Sequence, residues 1–336
     1  IGKRQKADNI SGLLREPSLE EYVSSKSKNN ITGYFMQIGI DDFDEINGRF
    51  GLKCGDEILK QFSMCMQSCI NENQKIYELG NGRFIIMDLA NHSKEDILEL
   101  YDELKKSVEV ALEENVYRVV YTISVGIVEI DKEMKDYDTL IKYSDFALNE
   151  AKKKGKNSCY FFTQDKHKQF IRRREIRVEL QNAVDHNFKN FDVYYQPIID
   201  IHTRNLIGAE ALMRFKMKRN EQIEFISPAE FIPILEESGL IIPAGRWILR
   251  QAVACCKKWQ EFIPEFKVNV NLSYVQIIKS KILDEIKQAL KDFNLKPALL
   301  GIEVTESGYL ENTYHYKKLW SSLKEEGITL ILDDYG

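Results

Sequence analysis

From Thr32 onward, short apolar runs alternate with stretches in which hydrophobic side chains return every three or four positions. The runs "YFMQIGI" and "YRVVYTISVGIVEI" read as strands, and so does the shorter "SCYFF". Helical spacing fills "GDEILKQFSMCMQSCI", "SKEDILELYDELKKSVEVALEE" and "YDTLIKYSDFALNEAKKKG". Between the first two helices "YELGNGRFIIM" predicts a hairpin, because Gly-Asn-Gly supplies the positive φ angles that a tight turn between two strands requires. Strand, helix, two strands, helix, strand is the ferredoxin-like order, here with one helix and one strand added.

After Phe162 the pattern changes. "QDKHKQFIRRREIRVELQNAVDH" is charged and helical in period, and it divides the chain into a first domain (1–163), a linking helix (164–180) and a second domain (181–336). Its basic run has two readings, a solvated linker or a signalling and dimer-forming helix. A second rhythm then begins, with strands at "VYYQPII", "LIGAEALMRF", "FKVNVNLS", "LGIEVTE" and "ITLILDD" and helices in the later intervals. Repeated strand-then-helix units predict parallel strands and a (β/α) barrel of the TIM type. Such a barrel needs eight strands, and open edges on a buried parallel sheet are sticky, so the chain is expected to continue past Gly336. The start at Ile1 rather than Met adds the expectation of upstream sensory or membrane segments.

Composition narrows the function classes. The 336 residues are 43% hydrophobic and 29% charged, with a net charge of -5, so no global attraction draws the chain to nucleic acid, and no nucleic-acid partner is expected. Six cysteines without a CxxC pair fit reduced thiols in the cytoplasm, and five scattered histidines offer no zinc spacing. No apolar run approaches the ~20 residues of a membrane helix and no signal peptide opens the chain. A cytoplasmic protein is expected, with membrane tethering left to upstream segments.

Four strands of the second domain carry oxygen-bearing residues at or near their C-terminal ends: Glu210, Asn271, Glu303 and the pair Asp333 and Asp334. That end of a (β/α) barrel is where active sites form, and convergent carboxylates call for a cation, which their hard oxygens restrict to Mg²⁺ or Mn²⁺. A single acid there is commonly a helix cap, but four strands repeating the placement argue against that account. Glu210, Leu212 and Arg214 share one strand face. Arg214 therefore either offers a fork to a phosphate at the site or makes an ion pair at the edge of the core.

These residues carry a resemblance. "GAEALMRF", "YYQPIID", "VNVNLSYVQ", "GIEVTES" and "LDDYG" resemble, in order and spacing, the motifs of the EAL phosphodiesterases, which hydrolyse the bacterial messenger cyclic di-GMP. The match covers residues 171–336. It implies that Glu210, Asn271, Glu303 and Asp333 bind a first metal, that Asp334 helps hold a second, and that Glu210 and Asp333 count as catalytic. Gln196 matches a nucleotide-contacting glutamine and Arg214 a phosphate-contacting arginine. The implied chemistry is two-metal hydrolysis to linear pGpG, with two Mg²⁺ or Mn²⁺ ions per site. The family pattern continues with a lysine, a glutamate and a glutamine that do not occur before Gly336, so the stretch as given is expected to be inactive by itself.

The first domain resembles the GGDEF diguanylate cyclases across 8–162, through "DNISGL", "GIDDFDEINGRFGLKCGDEIL", the hairpin, "TISVGI" and "SDFALNEAKKKGKN". Its signature is degenerate. "GNGRF" places Gly82 and Arg83 at the two acidic positions, and Gly39 stands at the partner metal ligand. Asp41 lies two residues along the strand, ~6.6 Å away, too far to serve a Mg²⁺ that binds oxygen at ~2.1 Å. The family's product-inhibition RxxD would fall on 71–74 and is absent. The resemblance therefore implies no cyclase activity. Asn47 and Asp56 match guanine-contacting residues and Lys152 a phosphate-contacting lysine, which together give a GTP-binding regulatory domain; alternatively Asn47 and Asp56 are turn and cap residues.

The expectation is a cyclic di-GMP phosphodiesterase whose GGDEF-like domain acts as regulator, GTP binder or homodimer partner. Its rival is a receptor that binds cyclic di-GMP without hydrolysing it.

Overall fold

Strand β2 (Gly33–Ile40) is buried at all eight of its positions, because helices cover both faces of the sheet it centres. The computed structural model describes residues 7–27, 31–90, 92–113, 119–131, 135–219, 221–305 and 313–333, and the chain divides into two units, Ile1–Lys168 and Gln169–Gly336. In the first unit β1 (Leu14–Arg15), β2, β3 (Gln74–Gly80), β4 (Arg83–Asp88), β5 (Ile123–Ile130) and β6 (Cys159–Phe161) form one sheet in the order β1-β3-β4-β2-β5-β6. The hairpin β3–β4 and the pairs β2–β4 and β2–β5 are antiparallel.

Alternate side chains of this sheet enter two cores. Met36, Ile38 and Ile86 face α2 (Phe43–Phe50), α3 (Leu52–Cys69) and α4 (Lys94–Glu113). Phe35, Ile85 and Val128 face α1 (Glu16–Lys26) and α5 (Tyr137–Lys153). The periodic reading starts after α1 and does not separate α2 from the strand before it. Both helices are short, and α2 ends at Gly51, whose φ of 86° breaks it from α3.

Helix α6 (Gln164–Asp185) buries Ile176, Leu180 and Ala183 in the core of the second unit. Its basic run is not simply solvated. Arg172 donates to both carboxylate oxygens of Glu230, at 2.5 and 3.0 Å, and sits 2.8 Å from Glu224, while Arg173 pairs with Glu237 at 2.6 Å.

The second unit holds β7 (Phe191–Ile199), β8 (Leu206–Arg219), β9 (Gln222–Ile226), β10 (Lys267–Asn271), β11 (Leu300–Thr305) and β12 (Thr329–Asp333) in one sheet of order β12-β11-β10-β8-β7, with β9 on β8. Strands β8, β10, β11 and β12 are parallel neighbours, as β/α units require. Helices α7 (Pro228–Ser238), α8 (Ile241–Trp259), α9 (Tyr274–Lys279), α10 (Ile282–Asp292) and α11 (Thr313–Glu325) alternate with them.

Two strand pairings depart from the uniform parallel expectation. β7 runs antiparallel to β8, since the 200–205 connection is a tight turn in which Asp200 accepts from the backbone of His202 and Thr203, too short for a crossover. β9 is a further strand, antiparallel to β8 and invisible as a separate apolar run. Along β8 burial alternates: Ala209, Ala211, Met213 and Phe215 face the helices, and Glu210, Leu212 and Arg214 occupy the other face. Among the described residues no helix is long and apolar enough to cross a membrane.

Candidate functional site

The strand register puts Gln196, Glu210, Asn271 and Glu303 of the second unit's expected site on one sheet face. Gln196, Glu210, Asn269 and Gly301 are successive partners across β7, β8, β10 and β11. Two residues further along, Asn271 is opposite Glu303. Asp333 ends β12 opposite Thr305, two residues beyond Glu303 on the neighbouring strand. Side chains two apart on a strand share a face, so Glu210, Asn271 and Glu303 occupy one face across three strands, with Asn271 one diagonal step from Glu210 and directly opposite Glu303. Asp333 is described through its backbone alone, and Asp334 lies outside the described residues.

Two amides cross in this register. Asn271 Nδ2 donates to Glu210 Oε1 at 2.7 Å, and Asn269 Nδ2 donates to Glu303 Oε1 at 2.7 Å. Each asparagine thus reaches past the glutamate opposite it to the one diagonal to it. An amide donor fixes the plane of a carboxylate without neutralising its charge, the state in which a carboxylate binds a hard cation. Among the described residues no three His, Cys, Asp or Glu side chains form a metal-binding group. The expected set, however, includes the amide of Asn271 and two aspartates whose side chains are not described, and its oxygen chemistry fits Mg²⁺ or Mn²⁺.

Beside this face lies a cavity of about 490 Å³ whose walls include Leu212, Arg214, Ile232, Ile241, Asn271 and Glu303. Arg214 shares the face of Glu210; its guanidinium stacks 5.4 Å over the Tyr194 ring and donates to the Met213 carbonyl at 2.9 Å. No ion pair holds it among the described residues. Gln196, directly opposite Glu210, is exposed. Immediately after Asn271, Ser273 caps α9 in a capping box closed by Gln276, and its hydroxyl donates to Glu236 at 2.6 Å. The Gln276 amide fits only because Gly245 has no side chain: a Cβ there would lie 2.1 Å from Nε2. Sequence reasoning did not single out Asn269, Glu236 or Ser273. Asn269 was within reach of it, being two residues before Asn271 on the same face.

In the first unit the expected metal positions are filled differently. Asn81 and Gly82 form the two-residue turn between β3 and β4 with φ of 53° and 70°. A Cβ on Gly82 would lie 2.8 Å from the Phe43 ring. Gly39 pairs with Arg83, and a Cβ on Gly39 would meet Lys152 Nζ at 3.2 Å. A lysine ammonium therefore stands beside the place where a metal-binding carboxylate would start, and Arg83 faces Asp145 at 3.5 Å. Asp41 is buried and engaged by Thr122 Oγ1 at 2.7 Å, Ser124 Oγ at 2.8 Å and the Asn157 N–H at 3.1 Å. These bonds give its carboxylate a structural task.

Asn47 and Asp56 are brought to the junction of α2 and α3. The Asn47 Oδ1 atom is buried without a hydrogen-bond partner among the described residues and lies against Gly55, where a Cβ would be 1.9 Å from it. Asp56 is exposed on the first turns of α3.

Comparison with known proteins follows the same division. The family model described as "Diguanylate cyclase, GGDEF domain" matches residues 6–158, and that described as "EAL domain" matches residues 177–336. The chain is 31% identical to the signaling protein YkoW of Bacillus subtilis over 91% of its own length and 38% of the relative's. It is 26% identical to the cyclic di-GMP phosphodiesterase PdeR of Escherichia coli, over 98% of this chain and 49% of that one. The solved "PaMucR Phosphodiesterase, c-di-GMP complex" is 28% identical over 48% of this chain and 64% of that chain, with a TM-score of 0.45. The chain thus spans half or less of the length of these two curated relatives. One domain model followed by the other over nearly all of its residues, with relatives that are bacterial signalling proteins, places the chain in the tandem GGDEF–EAL family.

Proposed function

We propose that the protein is a cyclic di-GMP phosphodiesterase that opens one phosphodiester bond to give linear pGpG, with residues 181–336 supplying the visible part of the site and a first domain (1–163) that does not make the messenger. The observation that carries this reading is the pair of crossed amide bonds that orient Glu210 and Glu303 on the face leading to the cavity. Glu210, Asn271, Glu303, Asp333 and Asp334 would hold two Mg²⁺ or Mn²⁺ ions. Bound there, the ions would supply an activated water and positive charge for the phosphoryl oxygens.

The remaining work falls to the chain's own groups. Arg214, whose guanidinium lies over the Tyr194 ring, presents a cation to a phosphate from the same face as Glu210. Gln196, exposed and opposite Glu210, offers an amide to the nucleotide, and the apolar walls at Ile232 and Ile241 suit a base.

The first domain has Lys152 beside Gly39 and a turn closed by glycine, so it lacks the acids that hold the metals of a cyclase. We assign it a regulatory role, binding GTP without metal through Asn47, Asp56 and Lys152 and supporting a homodimer. All six cysteines are free, which accords with a protein working in the cytoplasm.

The test uses the protein as its gene encodes it, supplied with Mg²⁺ or Mn²⁺ and cyclic di-GMP. Conversion to pGpG, abolished by a chelator, is expected. Binding without conversion would replace this reading with that of a receptor.

A further inference from the structure

We infer that Asn269 is a positioning residue for Glu303 and that Gly301 exists in this chain to make room for it. The inference rests on the reading of Glu303 as a metal ligand. Asn269 is half-buried on β10, directly opposite Gly301 on β11, and Glu303 is the next residue of β11 on the same face. Its amide lies across the empty position: Oδ1 would be 2.3 Å and Cγ 3.0 Å from a Cβ on Gly301, while Nδ2 reaches Glu303 Oε1 at 2.7 Å. The donor and acceptor ends of the amide are fixed by chemistry, since an ionised carboxylate only accepts. The φ of Gly301 is not in the left-handed region, so its backbone conformation is open to any residue and the missing side chain answers a demand for space.

Glu303 is 7% exposed, so its carboxylate has little water to orient it and depends on protein donors. Donors of this kind hold a metal-ligating carboxylate in its binding orientation, and losing one typically weakens metal affinity or activity ~10- to 100-fold. Asn269 does this for Glu303 without adding charge. Since Gly301 admits the amide, the two positions act as one unit: a methyl group on Gly301 should expel the amide from its bond as effectively as deleting it.

The experiment is a calorimetric Mn²⁺ titration of the whole protein without nucleotide, on wild type, Asn269→Ala, Gly301→Ala and the double variant, with thermal unfolding of each as a check on folding. Each single variant is expected to weaken Mn²⁺ binding ~10- to 100-fold, and the double variant to bind no more weakly than the weaker single. Wild-type affinity in both single variants overturns the inference, and so do losses that multiply in the double variant. A wild type that binds no Mn²⁺ overturns it too. Tight Mn²⁺ binding with no hydrolysis of cyclic di-GMP would leave the positioning role standing and defeat only the proposed activity. Hydrolysis with unchanged Mn²⁺ affinity in the variants would do the reverse.

Discussion

Asn271 donates its amide to Glu210 Oε1 at 2.7 Å across two neighbouring parallel strands, although the residue directly opposite it is Glu303. This diagonal bond ties two expected metal ligands to each other before any cation arrives. Asn271→Asp keeps the size of the side chain, removes the donor and sets a second negative charge beside Glu210. Coulomb repulsion between carboxylates at hydrogen-bond distance then forces them apart or makes them share a proton. The expected outcome is a ~10- to 100-fold drop in kcat/KM for cyclic di-GMP at fixed Mn²⁺. Wild-type kinetics in this variant would show that the bond has no part in the site.

The first domain should resist repair. Gly39→Asp places a Cβ 3.2 Å from Lys152 Nζ and 3.3 Å from Leu148 Cδ2, so both side chains must give slightly, and the Lys152 ammonium would pair with the new carboxylate and compete with Mg²⁺ for it. Gly82→Glu meets a steric barrier instead: at a φ of 70°, with the Phe43 ring 2.8 Å from the new Cβ, it should cost about 1–3 kcal/mol. Chemical denaturation checks the second effect. Incubation with GTP and Mg²⁺ checks the first, and neither Gly39→Asp nor the double variant is expected to yield cyclic di-GMP. Product from Gly39→Asp alone would mean that the missing acid is all that separates this domain from a cyclase.

The sequence revealed what depends on local rules and concealed what depends on distant neighbours. The hairpin at Asn81 and Gly82 was readable because a two-residue turn with positive φ all but requires those residue types. The shared face of Glu210 and Arg214 was readable from the period of a strand. The task of Asn269 was not, because it depends on the missing side chain of Gly301 on another strand. Nor was the placement of Lys152 beside Gly39, which is set by how α5 packs on β2. The antiparallel direction of β7 followed from a short polar turn whose length, rather than its composition, carried the information.

Burial raises the Glu78 carboxyl above its ordinary value, while the hydroxyl bond from Ser11 works in the opposite direction. The folded state then holds a proton that the unfolded chain has already released. Stabilisation from this group is fully present below the ordinary carboxylate range and is lost as pH rises through the raised folded value. Glu78→Gln keeps the shape and cannot ionise, so its stability relative to wild type should increase between about pH 4 and about pH 7. Urea unfolding of both proteins at the two pH values measures this difference directly. A difference that stays flat or falls would mean that Glu78 is ionised in the folded domain at no cost.

Asn47 offers a test in which stability and binding move in opposite directions. Its Oδ1 atom is buried against Gly55 with no donor among the described residues, an arrangement that typically costs about 1–3 kcal/mol. The same side chain is one of the residues assigned to the proposed GTP site. Asn47→Ala removes the orphan acceptor and should raise stability by about 1 kcal/mol in denaturant unfolding. The same substitution should weaken the calorimetric signal for millimolar GTP, and Asp56→Ala, on the exposed side of α3, should weaken it with little change in stability. If Asn47→Ala instead unfolds more easily and wild type shows no heat with GTP, the residue is a helix-junction element and the first domain works as a scaffold alone.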